Sequence, residues 1–112
     1  MKFTILQKKL KEGLDVVERL SGKSLTLPIL NNMLVSVQKN FLNLATTDLE
    51  TGIRWWALAK IEETGEAVIP TKILSNLVNY LPDKPILFET KDKLLSVECD
   101  NYKTQINYFN RE

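Results

Sequence analysis

The side chains that usually do acid–base or nucleophilic chemistry are scarce in this sequence. Histidine is absent, and there is one cysteine, Cys99. Without an imidazole there is no Ser-His or Cys-His arrangement, no general base tuned near neutral pH and no histidine-containing zinc site. One thiol cannot build a zinc site or an internal disulfide, which fits a reducing compartment. A pair that could suggest metal or acid–base chemistry is Asp48 and Glu50, in the run Thr46-Thr47-Asp48-Leu49-Glu50. They flank one leucine between two strands, with no further ligand nearby. Asp48 therefore reads as a turn residue whose carboxylate accepts backbone N–H bonds. No catalytic constellation is visible, and no metal or cofactor is implied. These residues argue against an enzyme.

Binding chemistry is better supplied. Net charge is +1, from 15 basic and 14 acidic residues, and says nothing about a nucleic-acid partner, because phosphates respond to local potential. Locally, the segment after Pro70 carries the polar positions Lys72, Ser75, Asn76 and Asn79 with no carboxylate among them. The segment after Gln7 combines Lys8, Lys9, Lys11 and Arg19 with Glu12, Asp15 and Glu18, and Lys11–Asp15 and Asp15–Arg19 have the spacing of neutralising i,i+4 pairs. The loop Gly22-Lys23-Ser24 offers a further cation. Trp55 and Trp56 point to opposite faces of a strand, one toward the core. For the other, a base-stacking platform is the lesser reading beside partial exposure.

These residues need elements to hold them. Alternation from Lys2 to Gln7 predicts a strand, and Leu10, Leu14, Val17 and Leu20 predict a helix over Lys8 to Leu20 that stops at Gly22. Pro28 makes Leu25 to Leu30 an extended connector. Met33–Val37 and Phe41–Ala45, joined at Lys39-Asn40, read as a hairpin, and Ile53 to Ile61 as one longer strand. The order then repeats. Ala67-Val68-Ile69 is a short strand, and Thr71 is the expected N-cap of a helix. Ile73, Leu74, Leu77, Val78 and Leu81 form its apolar stripe, and Pro82 ends it. Ile86 to Thr90, Leu94 to Cys99 and Tyr102 to Phe109 are strands. The expectation is an α+β protein: a duplicated βαβββ, with two helices packed on antiparallel sheets. A length of 112 residues fits one domain, and 44% hydrophobic content suffices for a core. No 18-residue apolar run or secretory signal is present.

Four segments, in order and in register, resemble the N-terminal domain of the bacterial DNA sliding clamp, the beta subunit of DNA polymerase III. They are the opening Met1-Lys2-Phe3-Thr4-Ile5; Leu25-Thr26-Leu27-Pro28-Ile29-Leu30-Asn31-Asn32, similar to the family's T-L-P-I-L-x-N; Thr47-Asp48-Leu49-Glu50, similar to its T-D-L-E turn; and Val68-Ile69-Pro70-Thr71-Lys72, similar to its strand-to-helix entry. The resemblance spans essentially the whole chain. It implies the DNA-clamp fold and a non-catalytic processivity factor for DNA replication, bacterial and cytoplasmic. Two subunits of three domains close head-to-tail around duplex DNA and tether the replicative polymerase. Residues 1–112 would be the first domain, with the second and third absent. Polymerase and clamp loader would bind through those absent domains.

By position, the resemblance implies that Lys23, Ser24, Lys72, Asn76 and Asn79 face DNA. Lys72 stands where the family has a basic residue. Ser24 stands where it has arginine, so the neighbouring Lys23 would supply a point charge in place of a bidentate fork. The subunit interface would take Ile73, Leu77, Leu81, Asn101, Lys103 and Ile106, with Tyr102 to Phe109 as the exposed edge strand. A core role for the three apolar helix residues is the plainer alternative, above all for Leu77. The competing function is a non-catalytic protein-interaction domain that uses its sheet edges and binds no DNA.

Overall fold

In each half of the chain a strand runs straight into a helix, and the chain then meanders through antiparallel strands. The computed structural model describes residues 1–19, 31–47 and 51–108. Its elements are β1 (Lys2–Leu6), α1 (Gln7–Val17), β2 (Asn32–Gln38), β3 (Phe41–Thr47), β4 (Gly52–Leu58), β5 (Lys60–Glu63), β6 (Gly65–Pro70), α2 (Thr71–Tyr80), β7 (Pro85–Lys91), β8 (Leu94–Cys99) and β9 (Tyr102–Asn107). The strands form a five-stranded sheet, β5-β1-β7-β8-β9, and a four-stranded sheet, β4-β3-β2-β6, with every neighbouring pair antiparallel.

The halves exchange their first strands. β1 joins the meander of the second half by pairing with β7, and β6 joins that of the first half by pairing with β2. Each sheet buries one face in strict alternation, as β2 and β3 show with Met33, Val35 and Val37 against Leu42 and Leu44. The buried faces of both sheets and the inner stripes of both helices share one core. Phe3 and Phe88, directly paired across β1 and β7, stack there at 4.9 Å.

The single strand expected from Ile53 to Ile61 is two. It breaks at Ala59, whose N–H still donates to the Asn40 carbonyl. β4 before the break pairs with β3, whereas β5 after it crosses to β1 in the other sheet. Ile53, Trp55, Ala57, Ala59 and Ile61 all face inward in alternation through the break. The periodicity therefore runs on unchanged while the partner changes.

Both helices end differently from the sequence expectation. α1 ends at Val17, three residues before Leu20, and the connector from Leu25 to Leu30 lies outside the described residues. Thr71 is the first residue of α2 and is buried; Pro70 holds the N-cap position, and no side chain caps it. The Val17 carbonyl at the end of α1 accepts a 2.8 Å bond from the Thr46 hydroxyl on β3, one of the orphan groups every helix end leaves. Two-residue turns close three hairpins, and Lys39, Asp92, Lys93 and Asp100 take the positive φ that such turns demand.

α1 lies on the four-stranded sheet through a close contact. A Cβ added at Gly13 would meet the Trp55 indole at 2.4 Å, so only glycine lets the ring sit there. We expect Gly13→Ala to destabilise the fold although alanine favours helix by about 1 kcal/mol, because overpacking typically costs about 1–3 kcal/mol. Urea unfolding measures this. In a Trp55→Leu background the same substitution should become neutral or stabilising; an unchanged loss would refute the contact as its cause.

Candidate nucleic-acid interface

α2 divides its ten residues into three stripes. Thr71, Leu74, Ser75 and Val78 are buried. Lys72, Asn76 and Asn79, spaced i, i+4, i+7, are exposed along one line. Ile73 and Tyr80 are exposed, and Leu77 between them is half-buried. The polar stripe contains no carboxylate, and its first turn carries no acid to offset the partial positive charge of the helix N-terminus. Lys72 is in that turn. This line of one cation and two amides can meet phosphates without repulsion.

The sequence placed Ser75 on the same face. The structure buries it in the seam between the helices, where its hydroxyl donates to Glu18 Oε2 at 2.9 Å. A second bond crosses the seam from Gln7 Nε2 to the Val78 carbonyl, also 2.9 Å. Both replace water at buried polar groups, and they fix how α2 presents its outer stripes.

α1 contributes a mixed surface. Lys8 pairs with Asp83 and Lys9 with Glu12, each at 3.3 Å and each exposed. The expected Lys11–Asp15 and Asp15–Arg19 pairs are not among the ion pairs of the described residues, so Lys11 and Arg19 keep their charge toward solvent. Lys23 and Ser24 lie outside the described residues, as do Asp48 and Glu50.

The residues assigned to assembly separate by exposure. Asn101 and Lys103 are exposed at the β8–β9 hairpin, and Ile73 is exposed on α2. Leu81 and Ile106 are buried, Ile106 opposite Leu95 on the inner face. They support the edge from behind and are not surface groups. β9 ends at Asn107, and Phe109 lies outside the described residues. β9 is an open edge of its sheet. Tyr102, the first residue of the expected edge strand, is strongly exposed, and so is Tyr80, which the sequence reading did not assign to this surface. The signal for Tyr80 was its i+7 spacing from Ile73.

Chemistry elsewhere is quiet. Cys99 is fully buried, and desolvation, with Asp100 beside it, pushes its thiol above the ordinary range. No group of three metal-ligating side chains occurs among the described residues. No described helix is long and apolar enough to cross a membrane.

Residues 1–112 match the family described as DNA polymerase III beta subunit, N-terminal domain. The chain is 31% identical over 107 residues to a beta sliding clamp homolog, GriR, of Streptomyces muensis, covering 96% of this chain and 29% of that one. It is 35% identical over 88 residues to the beta sliding clamp of a Synechocystis species, covering 77% of this chain and 22% of that one. Among solved structures, the Caulobacter crescentus pol III beta superposes with a TM-score of 0.92 at 26% identity, over 98% of this chain and 31% of that one. The Pseudomonas aeruginosa sliding clamp bound to griselimycin gives 0.91 at 28%, over 98% and 30%. This chain thus spans less than a third of the length of each of these proteins.

The described geometry separates residues that hold the fold from those free to bind. Thr46→Val should cost roughly 1–2 kcal/mol in urea unfolding by orphaning the Val17 carbonyl. Alanine at Lys72, Asn76 or Asn79 should stay within about 0.5 kcal/mol. A large loss at any of these three would give that residue a structural task.

Proposed function

The chain belongs to the family of the DNA polymerase III beta subunit N-terminal domain, and from that premise we propose that it serves as the first of three domains of a sliding clamp. In this reading it is a cytoplasmic, non-catalytic processivity module of DNA replication. It lines part of a ring around duplex DNA and is joined head-to-tail to another clamp subunit. The replicative polymerase and clamp loader engage domains beyond this one. The observation that carries the reading is the acid-free outer stripe of α2, with Lys72, Asn76 and Asn79 in one line. Lys11 of α1 and Arg19, in the turn that follows it, add two exposed cations. A clamp has to touch phosphates without reading bases, so that it can slide. Short polar groups and sparse cations on helix faces meet that need, and a base-reading site does not. Lys23 is proposed as a further phosphate contact, with the neighbouring Ser24.

For assembly, the proposed surface is the open edge of β9 with Ile73, Leu77 and Tyr80 of α2. Cys99 and Tyr102 flank the two-residue turn Asp100–Asn101. Residues flanking such a turn exchange both ladder bonds, so alternation turns the N–H groups of Lys103 and Gln105 outward. The Tyr108 N–H, in the inward set, donates to the Lys93 carbonyl at 3.3 Å. Lys103 and Gln105 therefore offer donors to a strand from another subunit.

Two measurements test these assignments. NMR titration of the 112-residue chain at low salt with two unrelated DNA duplexes should give weak, similar affinities. Lys72→Gln should lower both equally and reduce the salt slope by about 1. A loss confined to one DNA sequence would contradict a sliding contact. For the edge, sedimentation across concentration should show weak self-pairing of the chain. Gln105→Pro should abolish it while the fold survives, since an edge strand tolerates proline at an outward N–H. A tight dimer that persists in this variant would place the interface elsewhere.

A further inference from the structure

The solvent face of the four-stranded sheet, opposite the helices, carries a group of residues that neither DNA contact nor ring assembly uses. The β3–β4 register puts Asn43 beside Trp56 and Ala45 beside Arg54, and Phe41 beside Leu58. All of these except Ala45 and Asn43 are exposed, Trp56 by 59% and Phe41 by 41%. Gln38, Lys39, Phe41, Asn43, Arg54 and Trp56 line a trough of about 370 Å³. Two large aromatic surfaces left in water are unusual on a sheet whose other face holds the core. Its lining also contains two cations and no carboxylate, and Lys39 and Arg54 form no ion pair among the described residues.

From this arrangement we propose that the trough is a docking site for an extended acidic segment of another protein, with the pattern acid–x–apolar–x–acid. The spacing follows from the strands beneath. Arg54 and Leu58, whose row holds Phe41 and adjoins Lys39, are four residues apart, about 13 Å along a strand. Trp56 lies midway. In an extended peptide, residues i, i+2 and i+4 share one face and span the same length. An apolar side chain at i+2 covers Trp56 and Phe41, while carboxylates at i and i+4 reach Arg54 and Lys39. The side-chain amides of Gln38 and Asn43 both donate and accept, as a peptide backbone requires. Charge complementarity selects the acidic peptide. A single-stranded nucleic acid would also stack on the aromatics, but it carries a negative charge at every nucleotide, whereas the trough holds two cations set apart on either side of an apolar centre.

The test is an NMR titration of the ¹⁵N-labelled 112-residue chain with the peptide acetyl-Gly-Glu-Ser-Leu-Ser-Glu-Gly-amide. The Trp56 indole N–H and the Asn43 amide should shift and saturate, while the Trp55 indole, packed on Gly13, stays fixed as an internal reference. Replacing both peptide glutamates by glutamine should weaken binding about tenfold, as should Arg54→Gln or Trp56→Ala. Both side chains are exposed, so the melting midpoint should hold. Absence of saturable shifts at millimolar peptide would overturn the proposal. So would equal binding of the glutamine peptide, or unchanged binding in the Arg54→Gln variant. An oligothymidylate that moves the same signals more strongly than the peptide would reassign the trough to single-stranded nucleic acid.

Discussion

The pairing of β1 with β7 is the interaction on which the rest of the architecture depends. β1 sits between β5 and β7, so the first strand of the chain holds together strands drawn from its middle and its second half. It enters α1 without a loop, and the Gln7 N–H extends the ladder by bonding to the Lys84 carbonyl. The placement of α1 is thus inherited from β1. The same exchange in the other sheet, β6 onto β2, runs directly into α2. Each helix is therefore aimed by a strand anchored in the opposite half's meander, and the two helices meet in the seam closed by Gln7, Val78, Ser75 and Glu18. Neither half could keep its helix in place alone.

Much of this was readable from residue order, because period-2 and 3.6-period patterns report directly on which face is buried. The hairpin at Lys39-Asn40, the stripe of Leu10, Leu14 and Val17, and the duplicated βαβββ all follow from that. Events that leave the period untouched were hidden. Ala59 changes sheets without changing face. Ser75 looked like a surface residue because a hydroxyl in an amphipathic helix usually faces water, and only the arrival of Glu18 from α1 explains its burial. The Thr46 bond to Val17 joins residues 29 apart in sequence, beyond any local signal. Thr71 satisfied the composition rule for a cap, yet the preceding strand runs through Pro70 and leaves no turn for a cap to close.

The candidate site shows the same division. Lys72, Asn76 and Asn79 are aligned by helical spacing alone, so their common exposure was legible. The surface proposed for assembly was only partly so. Ile73 and Leu81 belong to one sequence stripe, yet one faces water and the other the core, because Leu81 has already left the helix for extended backbone. Ile106 obeys strand alternation toward the core even on an edge strand. An edge is defined by which neighbour is missing, and that depends on the whole sheet order.

The exchange of strands also sets an order for biosynthesis. The four-stranded sheet is assembled from residues between Asn32 and Pro70, so its strands leave the ribosome as one contiguous block. β1 is made before the other strands described, but its partner β7 begins at Pro85, 83 residues after Lys2. At translation rates of about 5–20 residues per second, that separation is roughly 4–17 s. Through that interval a strand carrying Phe3 and Ile5 has no β7 to pair with, and the four-stranded sheet is complete only once Pro70 has been made. β1 can take up β5 as soon as Lys60–Glu63 has emerged, but one of its two edges waits for β7, and its protection in the meantime falls to whatever waits at the tunnel exit.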